Sequence, residues 1–272
     1  MSQFVRDYYN NHAKNEQNRL DLPLCRIEFI STLRLIDKYF PKQGKVCDIG
    51  GGTGRYTIEL LRKGYLVSLL DLSDKEIRLA NIQLNKNGLS AEQLIVGDAR
   101  DLSMFESNAF DAALLLGPMY HIVESNERAK VLQELKRILK PQGVAIIAYL
   151  NSWGLIKTGV VDFPHRYNDI SFLHSMLNEH TFAGQSLSGF TECYWSTSEA
   201  ALQEIKEADL EVLSYAGAES FAGGMGVLLE QLATDNPKAY ENIVQMAAET
   251  SELVQYRDGT DHLHIVARKT GA

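Results

Sequence analysis

The chain has 272 residues, 27 Lys and Arg against 35 Asp and Glu, and a formal net charge of −8. At 45% apolar and 23% charged residues it has material for a core, which excludes disorder as the dominant state. The longest uncharged run, Pro141 to Ile156, is about 16 residues and carries Pro, Gln, Asn and Ser, too short and too polar for a membrane span. The opening stretch MSQFVRDYYNNHAKNEQN has no apolar segment of the secretory kind. The three cysteines, Cys25, Cys47 and Cys193, cannot all pair and show no CxxC spacing. A reducing, cytoplasmic setting without membrane is therefore expected. The acidic excess argues against a broad phosphate-binding surface, so nucleic acid is the disfavoured partner.

The first residues read as helical, with Asp21 as the N-cap of a helix that carries Leu24, Ile27, Ile30, Leu33 and Ile36 on or near one face. Lys45–Gly50 is a short apolar run entering glycine-rich sequence. Gly54 to Lys63 reads as a helix closed by Gly64. Leu66–Leu72 reads as a strand buried on both faces. Ser73 or Asp74 caps a helix running to about Lys86, where Asn87-Gly88 stops it. Gln93–Ala99 and Phe110–Gly117 are further strands, and Ser125 caps a helix to Lys140. Pro141-Gln142-Gly143 turns the chain into a fifth strand, Val144–Leu150. Residues 151–195 lose periodicity and carry Trp153, Phe163, Tyr167, Phe172, Phe182, Phe190, Tyr194 and Trp195. A helix (Ser198–Ala208), a strand (Leu210–Ala216), two helical stretches and a last strand (His262–Lys269) follow. Strand–helix alternation of this kind builds a parallel sheet covered on both faces.

Asp48-Ile49-Gly50-Gly51-Gly52-Thr53-Gly54 stands between a strand and a helix, where open α/β sheets bind ligands. No GK[ST] follows, and GxGxxG fails from either Gly50 or Gly52, which excludes the phosphate-binding loop and the dinucleotide fingerprint. Asp71 ends the second strand, where a carboxylate can hold both hydroxyls of a ribose. Asp98 ends the third, where it can accept a bond from an exocyclic amine. Three acids on one sheet edge, with nothing to balance a pyrophosphate, imply a cationic or neutral nucleoside.

With these residues the chain resembles the class I S-adenosylmethionine-dependent methyltransferases. The match rests on VCDIGGGTGRY (46–56), LLDLS (69–73), VGDARDL (96–102), FDAALLLGPMYHI (110–122) and ELKRILKPQG (134–143). GPMYH, Tyr8-Tyr9 followed by Glu16 and Arg19, and HLHIVARK are similar to a bacterial small-molecule-type subgroup. The resemblance implies an α/β, Rossmann-like, doubly wound seven-stranded sheet, mostly parallel with the last strand antiparallel. It implies one domain: an N-terminal helical lid (1–43), a cofactor-binding core (44–150), an insertion or substrate cap after the fifth strand (151–197) and the rest of the sheet (198–272). It implies S-adenosyl-L-methionine as cofactor, S-adenosyl-L-homocysteine as product, and a site of Asp48, Gly50, Gly51, Gly52, Asp71, Leu72, Asp98, Ala99, Leu116 and Gly117. Tyr8, Tyr9 and Arg19 become lid candidates; Tyr8 and Tyr9 equally suit an aromatic face docking a terminal helix. The Asn/Asp-Pro-Pro-Tyr/Phe segment of enzymes that methylate exocyclic base amines is replaced by Gly117-Pro118-Met119-Tyr120-His121.

Methyl transfer requires alignment of the acceptor and, for some nucleophiles, removal of a proton. His121 is the candidate base, with a structural imidazole as the other reading. Tyr120 is a candidate catalytic residue better suited to a pocket wall. His165, His174 and His180 do not share a helical face, so no metal site is expected, and His262 and His264 read as structural. The aromatics of the insertion are expected to line the acceptor pocket, although a small satellite core would use them equally well. The acceptor expected is a small molecule methylated on O, N or C. RNA or protein as acceptor, or binding without catalysis, are the rival functions. Phe221–Leu229 is a candidate dimer face or lid.

Overall fold

Two helices precede the sheet: α1, Gln3–Arg19, and α2, Pro23–Tyr39. The computed structural model describes residues 3–178, 181–182 and 191–271. Asp21 does not cap α2. The N-cap is Leu22, with no side-chain bond, and Pro23 opens the helix; proline has no N–H to satisfy and its φ is already helical. β1 (Lys45–Ile49), α3 (Arg55–Arg62), β2 (Leu66–Asp71), α4 (Asp74–Lys86), β3 (Gln93–Val96) and β4 (Phe110–Leu115) follow. Ser73 caps α4 by accepting from Glu76 N. α5 (Ser125–Ile138) leads into β5 (Leu139–Asn151). The expected turn at 141–143 lies inside that strand as an irregularity, with Gln142 at φ +67°.

The insertion is more ordered than its sequence suggests. It contains α6 (Ser152–Asp162), α7 (Ile170–Asn178), β6 (Thr181–Phe182) and β7 (Cys193–Ser196). Leu155, Phe163 and Met176 form a satellite core there, packed with Tyr167, Phe172 and Trp195. Phe190 and His180 lie outside the described residues, as does the side chain of Phe182. α8 (Ser198–Glu207), β8 (Leu210–Gly217), α9 (Gly226–Asp235), α10 (Pro237–Thr250), α11 (Val254–Arg257) and β9 (His262–Lys269) complete the chain.

The strands run β3-β2-β1-β4-β5 in parallel. β9 lies antiparallel on β5, and β8 antiparallel on β9. This is the expected seven-stranded Rossmann-like sheet with its last strand antiparallel. β7 adds to it by pairing Leu150 and Asn151 with Trp195 and Ser196. One face is sealed by α5 and α8 through Val131, Leu132, Leu135, Ala201 and Ile205. The other is sealed by α2 and α3 through Leu35, Ile36 and Leu60. α9 and α10 pack on α2, where Leu229, Tyr240 and Val244 meet Ile27. Phe221 and Leu229 belong to that cluster, and Val227 and Leu228 stay exposed.

Register sets the site. Ile49 pairs with Leu70 and with Leu115, and Asp71 with Val96. The residues that follow each strand therefore emerge side by side at the carboxyl edge.

The turn after β4, Pro118–His121, is tied down by a buried cation. Arg128 Nη1 donates to the carbonyls of Ile122 at 3.0 Å and Val123 at 2.6 Å. Its Nη2 donates to Glu204 Oε1 at 2.6 Å, and the guanidinium lies 3.5 Å from the centre of the Tyr194 ring. Removing one partner of a buried pair strands the other charge. Arg128→Met is expected to lower unfolding free energy by about 3–5 kcal/mol in chemical denaturation; a loss under about 1 kcal/mol, the range of exposed pairs, would show that the contact is dispensable.

Candidate active site

A cavity opens at the carboxyl edge of β1, β2 and β4, where open α/β sheets bind ligands. Its floor is the glycine loop. Gly50 N and Gly51 N both donate to Leu70 O, at 2.7 and 3.3 Å. Gly50 has φ +76°, and a Cβ there would stand 2.6 Å from Pro118 Cδ. At Gly51 a Cβ would stand 2.8 Å from the Asp48 carboxyl carbon. The bare backbone is therefore required, and it faces the cavity.

Buried acids surround this loop. Asp71 accepts from Gly52 N at 2.9 Å and from Ser73 N at 2.8 Å. Burial still pushes its carboxyl up to about 6. Asp48 accepts from the Thr57 hydroxyl at 2.6 Å on Oδ2, and its buried Oδ1 has no partner. Burial raises Asp48 to about 6 against that bond, and Asp71 adds to the rise. Glu76 Oε1 is also buried without a partner; burial, then Asp71 and Glu16, push Glu76 up to about 8.

The roof is α1. Val5, Tyr9, Glu16 and Arg19 line the cavity. Asn10 Oδ1 accepts from the Ser73 hydroxyl at 2.6 Å, fastening the roof to the cap of α4. Glu16 accepts from Arg19 Nε at 2.7 Å and from the Tyr8 hydroxyl at 3.1 Å. Tyr8 itself is off the wall and packs edge-on against Tyr9 at 5.3 Å.

His121 is held at both nitrogens. Nδ1 lies 3.0 Å from the Glu192 carbonyl and Nε2 lies 2.7 Å from the Tyr9 hydroxyl. A carbonyl only accepts, so Nδ1 carries the proton and Nε2 accepts from Tyr9. Burial lowers the imidazole to about 4, so it is neutral at physiological pH. Its basic nitrogen is committed to Tyr9. Tyr120 lines the cavity, and burial raises its phenol well above the usual range, which keeps it protonated.

Of the residues singled out from sequence, Asp48, Gly50, Gly51, Gly52, Asp71, Leu72, Ala99, Leu116, Gly117, Tyr120, His121, Tyr9 and Arg19 share this wall. Asp98 does not, although its neighbours Gly97 and Ala99 do. Burial alone would raise Asp98, but its hydrogen bonds with Arg100, at 2.7 and 3.1 Å, help to hold it down to about 2. None of the described residues 151–197 lines the cavity; the Glu192 carbonyl of the insertion meets the wall at His121. His165 and His174 are exposed.

Glu28, Glu76 and His262 also line the wall, and sequence reasoning missed them. Glu28 follows Leu24 by one helical turn on a face otherwise turned inward, which is the signal that was there to read. Burial pulls His262 down, but Glu28 and Glu219 outweigh it and raise it to about 9. Burial lowers the neighbouring His264 to about 4.

The donor set suits a nucleoside with a cationic tail. Asp48 and Glu76 line the cavity and each keeps a buried, unpartnered oxygen, the backbone of the loop is bare, and among the described residues Arg19 and Arg55 but no lysine line the wall. Asp48 gives a test of this electrostatics. A folded-state pKa raised to about 6 favours the proton in the folded state, a contribution present at low pH and lost as pH rises through 6. Thr57→Val removes the one hydroxyl that steadies the ionised form. It is expected to cost about 1–3 kcal/mol at pH 8 and clearly less at pH 5; equal losses at both, measured by denaturation, would contradict the assignment.

Comparison with known proteins agrees. Residues 46–143 match the family model described as a methyltransferase domain. The tRNA 5-carboxymethoxyuridine methyltransferase of Escherichia coli is 29% identical over 129 residues, 47% of this chain and 48% of that one. The ubiquinone biosynthesis O-methyltransferase of Thiobacillus denitrificans is 30% identical over 120 residues, 44% of this chain and 50% of that one. The chain thus spans about half the length of the curated relatives it matches. Among solved structures, the 1,6-didemethyltoxoflavin-N1-methyltransferase of Burkholderia thailandensis, with 1,6-didemethyltoxoflavin and S-adenosylhomocysteine bound, has the same fold. It superposes with a TM-score of 0.59 at 14% identity, covering 98% of this chain and 88% of that one. Residues 46–143 thus match a methyltransferase domain, set in the sheet order that the resemblance to class I S-adenosylmethionine-dependent methyltransferases implies.

Proposed function

We propose that the chain transfers a methyl group from S-adenosylmethionine to an O, N or C nucleophile of a small molecule, with S-adenosylhomocysteine as product. The observation that carries this reading is the cavity wall, where Glu16, Glu28, Asp48, Asp71 and Glu76 outnumber Arg19 and Arg55 around a glycine loop under a helical roof. The bound cofactor supplies a methyl group on a positively charged sulfur, already activated for in-line displacement. The chain's own residues bind, orient and exclude water. Asp71 has lone pairs left beyond its two backbone bonds and accepts from paired hydroxyls. Leu72, Ala99 and Leu116 give an apolar wall for a base, and Gly50 to Gly52 let the amino-acid end approach the backbone. Tyr120, protonated, donates a hydrogen bond to an acceptor and does not take its proton. His121 positions Tyr9 in the roof.

A small acceptor is favoured because an acidic wall repels a phosphate backbone. The relatives named for tRNA and for ubiquinone biosynthesis match over about half their lengths, and their acceptors are theirs.

Calorimetric titration with S-adenosylmethionine and S-adenosylhomocysteine tests the cofactor. Asp71→Ala removes charged hydrogen bonds of about 1.5–3 kcal/mol each and is expected to weaken both ligands about a hundredfold or more; unchanged affinity would sink the assignment. A ligand that bonds the ionised carboxylate lowers its pKa, so the affinity of the wild type is expected to rise with pH through about 6 and then level off. Radiolabelled methyl groups offered with cell extract are expected in the small-molecule fraction. Label appearing only in RNA or protein would overturn the acceptor class.

A further inference from the structure

Along the wall of the same cavity, three elements bring together donors suited to a cation. Glu28 comes from α2, Glu219 follows β8, and His262 opens β9; their ligand atoms all lie within 4.8 Å of one another. Glu28 and His262 line the cavity. Glu219 is the support. Its Oε2 accepts from the N–H groups of Asp261 and His262, both at 3.1 Å, and its Oε1 lies 2.7 Å from His262 Nδ1. With Nδ1–H given to a carboxylate, His262 offers Nε2 to a metal ion that displaces the second proton of the ring.

An independent observation comes from His264, which is fully buried. Its Nδ1 lies 3.1 Å from Thr32 Oγ1. Thr32 spends its own proton on the Glu28 carbonyl at 2.8 Å and receives the Tyr56 hydroxyl at 3.2 Å. Toward His264 it therefore accepts, so Nδ1 is the protonated nitrogen and Nε2 presents a bare lone pair. That lone pair has no partner and lies 3.7 Å from Glu28 Oε1. Two electron-rich atoms face each other out of water, an arrangement that is costly unless a cation joins them.

The geometry points to a binding site for a first-row divalent transition-metal ion, held by Glu28, His262 and His264 with Glu219 and Thr32 orienting the two imidazoles. Imidazole and carboxylate donors suit zinc, cobalt or manganese better than magnesium or calcium. Both imidazoles give their second nitrogen to a fixed acceptor, as ligating histidines do. The remaining coordination positions face the cavity, where an oxygen or nitrogen of a small molecule completes the shell. This last role rests on the methyl-transfer reading; the cation site does not.

The test uses full-length protein stripped with a chelator and exchanged into chelator-free buffer. Co²⁺ is titrated in, followed by visible absorption and calorimetry, and Zn²⁺ is added in competition. One equivalent of Co²⁺ is expected, with absorption bands of nitrogen coordination that Zn²⁺ abolishes. Glu28→Gln and His264→Gln are each expected to weaken binding tenfold or more, with circular dichroism melts verifying the fold. Should His264→Gln fail to fold, Glu28→Gln at the cavity wall decides alone. Substoichiometric binding, or affinity unchanged in the folded variants, overturns the site. S-adenosylmethionine titrated in parallel separates the two readings: cofactor bound without Co²⁺ overturns the cation site alone, and Co²⁺ bound without cofactor overturns the methyl-transfer reading alone.

Discussion

The site is arranged around one backbone hydrogen bond, from Gly50 N to Leu70 O at 2.7 Å. It carries the β1–β2 ladder one step past the end of β1, and the chain then turns away through left-handed glycine. Because Leu70 is held there, the next residue, Asp71, stands beside the turn, and its carboxylate accepts from Gly52 N. Loop and acid therefore lock each other. β4 ends in the same register, so Leu116 and Gly117 arrive against Gly50 with Pro118 filling the space a side chain would need. A side chain at Gly50 would disturb the strand ends, the turn and the acid together, which is why its bareness is a constraint on the whole edge.

Around this lock the protein buries carboxylates that it does not fully compensate. Asp48 and Glu76 each hold an orphaned oxygen, and Asp48, Asp71 and Glu76 are all raised by burial. Burying such groups costs stability in the free protein. Elsewhere the chain does compensate its buried charge: Arg128 has Glu204 and two carbonyls, and Asp98 has Arg100. The contrast separates acids that serve the frame from acids that wait for a ligand. A cationic nucleoside beside Asp48, Asp71 and Glu76 and a divalent cation beside Glu28 would each relieve a different part of this stored repulsion.

The sheet was legible because its strands are continuous apolar runs bounded by glycine and by capping residues, signals that act within a few positions. Asp71 was legible for the same reason, since strand end and loop spacing fix where its backbone lies. Asp98 shows the limit of that logic. Its place at the strand end was readable, but the side chain turns to Arg100, two positions on, which strand-end spacing does not reveal. His262 and His264 were readable as sharing a face of β9; what that face meets, Glu28 from α2, is separated by more than 200 positions and needs the fold. Where the aromatics of the insertion go was not legible, because aromatic content does not say which core it joins. Phe163, Tyr167, Phe172 and Trp195 pack on one another, Tyr194 joins the main core, and Trp153 stays exposed.

This leaves α1 as the described element that covers the cavity, and its attachment explains the role of His121. Two of the bonds that fasten the roof are Asn10 on Ser73 and Tyr9 on His121. The first point is the residue that caps α4 and donates its N–H to Asp71, so the roof and the nucleoside-facing acid share a residue. The second joins the roof, through one imidazole, to the backbone of Glu192 in the insertion. A neutral imidazole donates on one side and accepts on the other, which is what a bracket between a carbonyl and a phenol requires. An imidazolium would donate on both sides and turn the Tyr9 hydroxyl around. Burial, by holding His121 near 4, keeps the bracket in its working form across the physiological range. The same burial that makes His121 a poor base thus makes it a dependable joint between roof, turn and insertion.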